Sequence, residues 1–191
     1  MIRSRGRVTS GTAAMIVAGL VFDRSGVKYR CTLAVFMERG IRRARVGWQE
    51  IEEACRILAE RVRKAGFEPE VLAVIMRGGG IVGRLFQKYS GSQALLHTFG
   101  IRAYSKVGER RKAAVYQYPN KVEDFRGRRV LIIDDICDSG TTLELARKWA
   151  MKAGASEVKT LTLHYKSKAV EAPDFWHTKV EDDVWIDYPW E

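Results

Sequence analysis

The sequence predicts an α/β domain in which a parallel sheet is covered by helices on both faces. Apolar runs, "VLAVIM" at 71–76 and the first four residues of "VLIID" at 130–134, alternate with segments whose apolar residues recur at helical spacing. Such runs are typical of strands that are buried on both faces. The segments that follow the two runs are rich in Gly, or in Asp, Ser and Thr. In open parallel sheets, ligands bind at this end of the strands.

The elements follow in a regular order along the chain. An amphipathic helix of about five turns is predicted from Trp48 to Ala65, because its apolar residues recur every three or four positions and Gly66 follows. The remaining predictions are a strand over 71–76, a tight "RGGG" loop over 77–80, a helix over Ile81–Tyr89, strands over 93–101 and 130–134, a helix over Leu143–Ala153 closed by Gly154, and a strand over 158–165.

Two stretches fit no regular element. Residues 103–128 form a long, charged, tyrosine-bearing segment, which predicts a mobile lid with Tyr104, Ser105 and Lys106 near its start. The alternative is a β-hairpin of structural interest only. Residues 166–191 are rich in aromatic and acidic residues and are predicted to form a small C-terminal hood.

Composition limits the class of protein. The chain has 191 residues, 46% hydrophobic, which suits one globular domain. Three widely separated cysteines, with no C-x-x-C pair, suggest neither a disulfide framework nor a zinc site, and favour a cytoplasmic location. The net charge of +10 comes mainly from residues 1–47, which hold ten Lys/Arg and two Asp/Glu. The nearly neutral remainder does not require a nucleic acid as partner.

The first 44 residues form a basic extension of unknown role. Its apolar run Ala13–Phe22 is about half as long as a membrane-spanning helix requires, so no membrane partner is expected. The basic start followed by this run is similar to a signal peptide, but no small-residue cleavage site follows cleanly. An extra hairpin or helix on the domain, or a natural start at Met37, are the alternatives.

The segment "DSGTT", at 138–142, has the properties of a phosphate-binding loop. It lies between a predicted strand and a predicted helix, so the first-turn N–H groups, the helix dipole and the hydroxyls would all favour an anion. It is not a nucleotide P-loop, because no lysine follows the glycine.

Asp134 and Asp135 directly precede this loop. Carboxylates would repel a phosphate, so they are expected to face hydroxyl groups or a metal ion. A ribose whose 5′-phosphate rests in the loop would satisfy both conditions. The simpler alternative is that these aspartates cap the helix or lie at a solvated loop end.

The stretch "VLIIDDICDSGTT" resembles the PRPP-binding signature of the type I phosphoribosyltransferases (PRPP, phosphoribosyl pyrophosphate). The resemblance covers residues 45–191 as a phosphoribosyltransferase domain. It departs at Cys137, where a small or aliphatic residue is usual, and at Thr141, where several relatives have lysine or glycine. Neither change removes a backbone donor. No role is assigned to Cys137.

The resemblance implies the type I phosphoribosyltransferase fold and a PRPP site. Arg77, Gly78 and Gly79 match the pyrophosphate loop, with Met76–Arg77 as the candidate for a cis peptide bond, and Arg77 would assist catalysis. Mg²⁺ would be the cofactor, held mostly through water by Asp134 and Asp135. The PRPP-binding set would also include Asp138, Ser139, Gly140, Thr141 and Thr142.

The resemblance also implies a 6-oxopurine as the second substrate. Asp138 stands where enzymes of 6-oxopurines have aspartate, which makes it the catalytic group that meets purine N7. Lys166, in "LHYKS", matches the lysine that donates to O6. The tail "VWIDYPWE" is similar to that of xanthine–guanine and archaeal-type purine enzymes, so Trp185 would stack on the base and Ile186 would read its 2-position.

These features together predict an enzyme of purine salvage, a pentosyltransferase that joins hypoxanthine, guanine or xanthine to PRPP. Relatives imply a homo-oligomer, either a dimer or a tetramer. The sequence leaves open which oxopurine is preferred. The rival hypothesis is a non-catalytic PRPP-binding regulator of nucleic acid, with the basic extension as its contact surface. The absence of a helix-turn-helix pattern in residues 1–44 weighs against it.

Overall fold

The computed structural model of the protein describes residues 15–22, 28–104 and 112–191. The chain divides into two compact units. One consists of Gly47–Asp182 with Trp190, and the other of the residues up to Val46 together with Asp183–Pro189 and Glu191. They are called the six-stranded unit and the four-stranded unit, after the sheet that each contains.

The described elements are ten strands, three α-helices and one 3₁₀ helix (Val122–Phe125). The strands are β1 (Met15–Phe22), β2 (Lys28–Glu38), β3 (Ile41–Arg45), β4 (Val71–Met76), β5 (Leu95–Tyr104), β6 (Lys112–Gln117), β7 (Arg129–Cys137), β8 (Glu157–Lys166), β9 (Phe175–Val180) and β10 (Val184–Asp187). The helices are α1 (Trp48–Lys64), α2 (Gly78–Ser90) and α3 (Thr141–Lys152).

The six-stranded sheet has the order β6-β5-β4-β7-β8-β9. All its neighbouring strands are parallel except β6, which runs antiparallel to β5. This arrangement confirms the predicted α/β class. Strands β4 and β7 lie at the centre, so the loops that follow them leave from the middle of the sheet, where helices cover both faces.

Helix α3 and helix α2 cover opposite faces of this sheet. Ala73 and Ile75 of β4 belong to the same buried cluster as Leu143 and Ala146 of α3. Val74 points the other way, because successive side chains of a strand alternate. A Cβ on Gly83 of α2 would overlap the Val74 side chain, so α2 lies close against this second face.

The α3 face is completed by an aromatic cluster. The ring centroid of Trp149 lies 4.9 Å from that of Phe99 and 5.0 Å from that of Phe125, with the rings nearly perpendicular in both pairs. Edge-to-face pairs of this kind stabilise a core beyond the area that they bury. The cluster connects α3, β5 and the 3₁₀ helix.

Helix α1 confirms the predicted element closely. Its N-terminus is closed by Glu50, whose side chain accepts a hydrogen bond of 2.6 Å from the backbone N–H of Gly47. The middle of the predicted apolar stripe is buried, with Ile51, Cys55, Leu58 and Val62 all nearly inaccessible. Trp48 and Ala65 at its two ends are exposed. The helix ends before Gly66, whose positive φ of 67° is a conformation that glycine adopts readily.

Two predictions at the carboxyl ends of the central strands are wrong. The "RGGG" segment is not a loop, since Gly78 to Gly80 form the first turn of α2. Strand β7 does not end at Asp134 but continues to Cys137, so both adjacent aspartates lie within the strand. Local composition favoured loops at both places, whereas packing between the two segments extends the regular structure.

The segment predicted as a lid contains regular structure on both sides of residues 105–111. Strand β5 continues through Tyr104, and β6 pairs with it antiparallel from Lys112. Ser105 and Lys106 lie outside the described residues. The described part is therefore the hairpin that the sequence left as the alternative, and a lid function stays a prediction.

The predicted hood contains two strands that join different sheets. Strand β9 pairs with β8 at the edge of the six-stranded sheet, whereas β10 pairs with β3 in the four-stranded sheet. The residues between β8 and β9, 167–174, form turns and bends.

The four-stranded unit has the order β1-β2-β3-β10. The apolar run of the N-terminal extension forms β1, which runs antiparallel to β2, and Met37 lies within β2. Arg39 and Gly40, both with positive φ, connect β2 to β3 in a two-residue hairpin. No helix of the described residues is long and apolar enough to span a membrane.

Ion pairs join the two ends of the chain within this unit. Arg42 Nη1 lies 3.0 Å from a carboxylate oxygen of Asp183, and Arg43 Nε donates to Asp187 at 2.9 Å. These contacts use two of the arginines that make the N-terminal region basic. The charges of these two arginines therefore stabilise the contact between β3 and the residues around β10.

A buried histidine on β8 and a partly buried one on β9 predict a loss of stability in mild acid. Burial lowers the pKa of His164, which is 5% exposed, to about 3, and the nearby His177 contributes. Burial likewise lowers the pKa of His177 to about 4, with the positive charge of Arg61 contributing. Both are therefore neutral in the folded protein at neutral pH, and protonation favours the unfolded chain.

We expect the free energy of unfolding to be fully present above about pH 6.5 and to fall as the pH drops below it, by up to about 1.4 kcal/mol per pH unit for each histidine. Urea unfolding at several pH values between 7.5 and 5 measures this slope. The variant His177→Asn should have a shallower slope, and an unchanged slope would contradict the assignment.

Candidate active site

The carboxyl end of β7 carries two adjacent carboxylates with fixed orientations. Asp134 Oδ1 accepts a hydrogen bond of 2.9 Å from the N–H of Asp135, and Asp135 Oδ1 accepts one of 2.8 Å from the N–H of Ile136. The second oxygen of Asp135, Oδ2, accepts a bond of 3.3 Å from the indole N–H of Trp190. The backbone and Trp190 thus hold the carboxylates in place.

Burial disfavours the charged form of both groups. Desolvation raises the pKa of Asp134 well above its usual value, and the negative charge of Asp135 raises it further. Desolvation also raises the pKa of Asp135, opposed by the hydrogen bonds from Ile136 and Trp190. A cation or a set of hydroxyl donors at this position would therefore stabilise the ionised pair.

The first turn of α2 lies directly against this end of β7. A Cβ on Gly78 would overlap the Asp135 carboxylate and lie 3.0 Å from Nε1 of Trp190. A Cβ on Gly79 would lie 2.5 Å from the carbonyl oxygen of Ile133 and 2.9 Å from Cα of Asp134. The two predicted ligand-binding segments therefore meet, and they meet through glycines.

The peptide bond between Met76 and Arg77 is cis, as the resemblance implied. Arg77 is the residue that precedes α2, and its side chain is exposed. No side chain in the described part of the chain caps this helix N-terminus. The start of α2 therefore lies beside the two carboxylates, and its first N–H groups favour an anion there.

The predicted phosphate loop leads into α3. Gly140 precedes the helix with a φ of 81°, which favours glycine at this turn. The hydroxyl oxygens of Ser139 and Thr141 lie 2.9 Å apart, and Thr142 is in the first turn. Among the described residues no side chain caps α3, so its first N–H groups can receive an anion.

The turn after β8 packs against this loop and is hydrogen-bonded to it. The N–H of Val170 donates to the carbonyl oxygen of Ser139 at 3.1 Å, and a Cβ on Gly140 would lie 3.3 Å from the same Val170 nitrogen. Cys137 is buried, and its Sγ lies 3.9 Å from the carbonyl oxygen of Glu171. Burial raises the pKa of the Cys137 thiol to about 12, so Cys137 is a packing residue with an unreactive thiol.

Asp138 lies close to two lysines, Lys166 at the end of β8 and Lys168 in the turn that follows. Its Oδ1 lies 3.1 Å from Nζ of Lys166 and 2.9 Å from Nζ of Lys168. The side chain of Lys166 is 9% exposed, whereas that of Lys168 is 41% exposed. The structure therefore brings together the predicted pair of Asp138 and Lys166, and adds Lys168.

The two predicted hood residues lie in the four-stranded unit. Trp185 and Ile186 are on β10, where Ile186 is buried and Trp185 is 51% exposed. Trp185 pairs in register with Arg43 of β3. Their expected contacts with a base stay predictions.

The acidic residues present fit a hydrated magnesium ion better than a site built entirely from protein ligands. In the described ranges no three His, Cys, Asp or Glu side chains cluster as a metal cage. Mg²⁺ usually keeps several waters and binds through one or two carboxylates together with substrate oxygens. Asp134 and Asp135 are such a pair, and their desolvation favours a neighbouring cation.

Comparison with known proteins identifies the family. Residues 47–191 match the model of the phosphoribosyl transferase domain. This match covers most of the chain, and the protein therefore belongs to the phosphoribosyltransferase family. The first 46 residues lie outside the match.

Individual relatives lie within the same family. The chain is 29% identical over 153 residues to a xanthine-guanine phosphoribosyltransferase from Ruegeria sp. (strain TM1040), a match that covers 76% of this chain and 84% of the relative. A structure of a purine phosphoribosyltransferase from Pyrococcus horikoshii is similar with a TM-score of 0.67 and 28% identity, covering 78% of this chain and 94% of that one.

A second similar structure is that of a hypothetical protein from Neisseria gonorrhoeae with bound ppGpp. Its TM-score is 0.64 at 28% identity, and the match covers 76% of this chain and 87% of that one.

Sequence reasoning missed two residues that contact the predicted site. Trp190 is the last tryptophan of the tail "VWIDYPWE", so the similarity of that tail to purine enzymes could have indicated it. Lys168 follows Lys166 by two residues, and nothing in its spacing or surroundings pointed to Asp138. Its contact depends on the conformation of the turn after β8.

Substitution of Gly79 tests the contact between α2 and β7. We expect Gly79→Ala to lower the free energy of unfolding by about 1 to 3 kcal/mol, because its methyl group would meet backbone atoms that cannot rotate away. Urea unfolding measures the change. The control is Gly80→Ala, whose methyl group would meet the flexible Met76 side chain, 2.8 Å away at Sδ. Equal effects of the two substitutions would contradict a special role for Gly79.

Proposed function

We propose that the protein is a purine phosphoribosyltransferase of nucleotide salvage, which joins a 6-oxopurine to PRPP and releases a nucleoside 5′-monophosphate and pyrophosphate. The observation that carries the proposal is the pair of Asp138 and Lys166 beside the loop that precedes α3. The Asp138 carboxylate, an acceptor, and the Lys166 ammonium, a donor, are thereby held next to the predicted phosphate loop. The names of the Ruegeria and Pyrococcus relatives support the same substrate class.

The PRPP-binding groups divide into three sets. Ser139 to Thr142 and the first turn of α3 would receive the 5′-phosphate. Asp134 and Asp135 would accept from the ribose 2′- and 3′-hydroxyls, which relieves the cost of their burial. Arg77 and the N–H groups of the first turn of α2 would receive the pyrophosphate.

Magnesium fits beside Asp134 and Asp135, mostly through water. When bound, it would neutralise charge on the departing pyrophosphate. The protein itself would hold the two carboxylates at the position of the ribose hydroxyls. The N–H groups of Asp135 and Ile136 and the indole N–H of Trp190 donate the hydrogen bonds that do so.

The base would be recognised at its imidazole and carbonyl edges. Lys166, nearly buried, would donate to O6, and Asp138 would accept from N7–H. Trp185 would stack on the ring, and the backbone of Ile186 would contact the 2-position. The Neisseria structure supports guanine as one of the bases, because its ligand ppGpp contains a guanine ring.

The chemistry requires positioning and charge stabilisation. As pyrophosphate leaves the anomeric carbon and the purine nitrogen attacks, the ribose acquires oxocarbenium character, so both substrates must be held in line. Asp138 would take the proton from the purine imidazole as its other nitrogen bonds to the ribose. The predicted lid, residues 103–128, would exclude water from this reaction. Cytoplasmic location and assembly as a dimer or tetramer complete the proposal.

A turnover assay tests the function directly. We expect the purified protein, with PRPP and Mg²⁺, to release pyrophosphate with at least one of hypoxanthine, guanine and xanthine, and much less with adenine, which has no 6-oxo group to accept from Lys166. No turnover with any base, together with salt-sensitive binding of DNA or RNA, would instead support the regulator hypothesis.

Substitution of Asp138 separates catalysis from PRPP binding. We expect Asp138→Asn to lower kcat/KM for the base about 100-fold or more, because the amide cannot take the N7 proton, while the Kd for PRPP changes little. Steady-state kinetics and PRPP titration measure the two effects. Glu52→Gln, which removes an exposed charge from α1, is the control. Equal losses in catalysis and PRPP affinity would indicate a structural role for Asp138.

A further inference from the structure

One carboxylate oxygen in the predicted base site faces two ammonium groups. Lys166 Nζ and Lys168 Nζ lie 3.1 Å and 2.9 Å from the same Oδ1 of Asp138. A single lysine would suffice to pair with Asp138 in the absence of substrate. The second lysine therefore calls for an explanation beyond charge neutralisation.

Lys168 is held in this position by contacts independent of Asp138. Its backbone N–H donates to Oδ1 of Asp182 at 3.1 Å, and its Nζ also donates to the carbonyl oxygen of Asp182 at 3.3 Å. The same turn is attached to the phosphate loop through the bond from Val170 to Ser139. The Lys168 ammonium is thus fixed beside Asp138 even though its side chain is 41% exposed.

The two lysines differ in what they can do when a base arrives. In the proposed function Lys166 donates to O6 of the base, which draws its ammonium away from Asp138. A partly buried carboxylate that loses its cation is costly unless another donor remains. Lys168, attached to Asp182 and not required by the base, can remain.

We propose that Lys168 is a positioning residue of the base site, which keeps Asp138 paired and oriented while Lys166 turns to the substrate. This inference rests on the proposed function, in which Asp138 accepts from purine N7–H. The two lysines then have separate roles. Lys166 donates to O6 of the base, and Lys168 keeps Asp138 in position to accept the N7 proton of the base.

The test compares Lys168→Met with Lys168→Arg. Methionine keeps an unbranched apolar stem and removes the charge, whereas arginine keeps the charge. We expect Lys168→Met to lower kcat/KM for hypoxanthine about tenfold, with the KM for PRPP within about twofold of wild type, and Lys168→Arg to retain most of the activity. Lys179→Met is the control, because Lys179 is an exposed lysine of β9 that lies over the Tyr165 ring.

A base analogue distinguishes positioning from general damage. In 7-deazahypoxanthine, C–H replaces the N7–H group, so the analogue can donate no hydrogen bond to a correctly held Asp138. We expect Lys168→Met to weaken hypoxanthine binding about tenfold and to leave the inhibition constant of the analogue nearly unchanged. Equal losses for both ligands would overturn the proposal, as would tighter hypoxanthine binding, which would show that Lys168 competes with the base.

The same data separate this inference from the proposed function. A wild-type protein that turns over no oxopurine would overturn the proposed function and this inference with it. An active wild type whose Lys168→Met variant has unchanged kinetics would overturn only the role of Lys168. Thermal unfolding of each variant identifies any loss of activity that comes from misfolding.

Discussion

The close contact between the first turn of α2 and the end of β7 is the constraint on which the rest of the site depends. Gly78 and Gly79 have no Cβ, and the space that a Cβ would occupy is taken by Asp135 and by the backbone of β7. The contact places the uncapped N-terminus of a helix beside two carboxylates. Groups that attract an anion and groups that attract hydroxyls or a cation are thus fixed a few ångströms apart.

This contact also explains the unusual state of the carboxylates. The helix turn removes water from Asp134 and Asp135, and desolvation raises the pKa of both. The hydrogen bonds from Ile136 and Trp190 offset only part of that cost for Asp135. A substrate that supplies hydroxyl donors and a hydrated cation would relieve the remainder. The site therefore gains more from binding such a ligand than a pair of solvated carboxylates would.

The parts that could be predicted from the sequence are those that local patterns determine. The stripe of α1, the apolar runs of β4 and β7, and the Asp-Ser-Gly-Thr-Thr segment each lie within a few neighbouring residues. The first turn of α2 could not be predicted in this way, because three glycines favour a loop until β7 packs against them. Trp190 and Lys168 were missed for the same reason, since their partners Asp135 and Asp138 are distant in sequence.

The turn after β8 connects the predicted phosphate loop to the predicted base-recognition residues. Val170 bonds to Ser139 in the loop, Lys166 and Lys168 pair with Asp138, and the carbonyl oxygen of Glu171 lies against Cys137. All of these residues lie within the six-stranded unit. Movement of the loop on binding a phosphate would therefore be transmitted to the lysines through a single hydrogen-bonded turn. In the proposed function, one turn would thus set the position of the phosphate relative to the base.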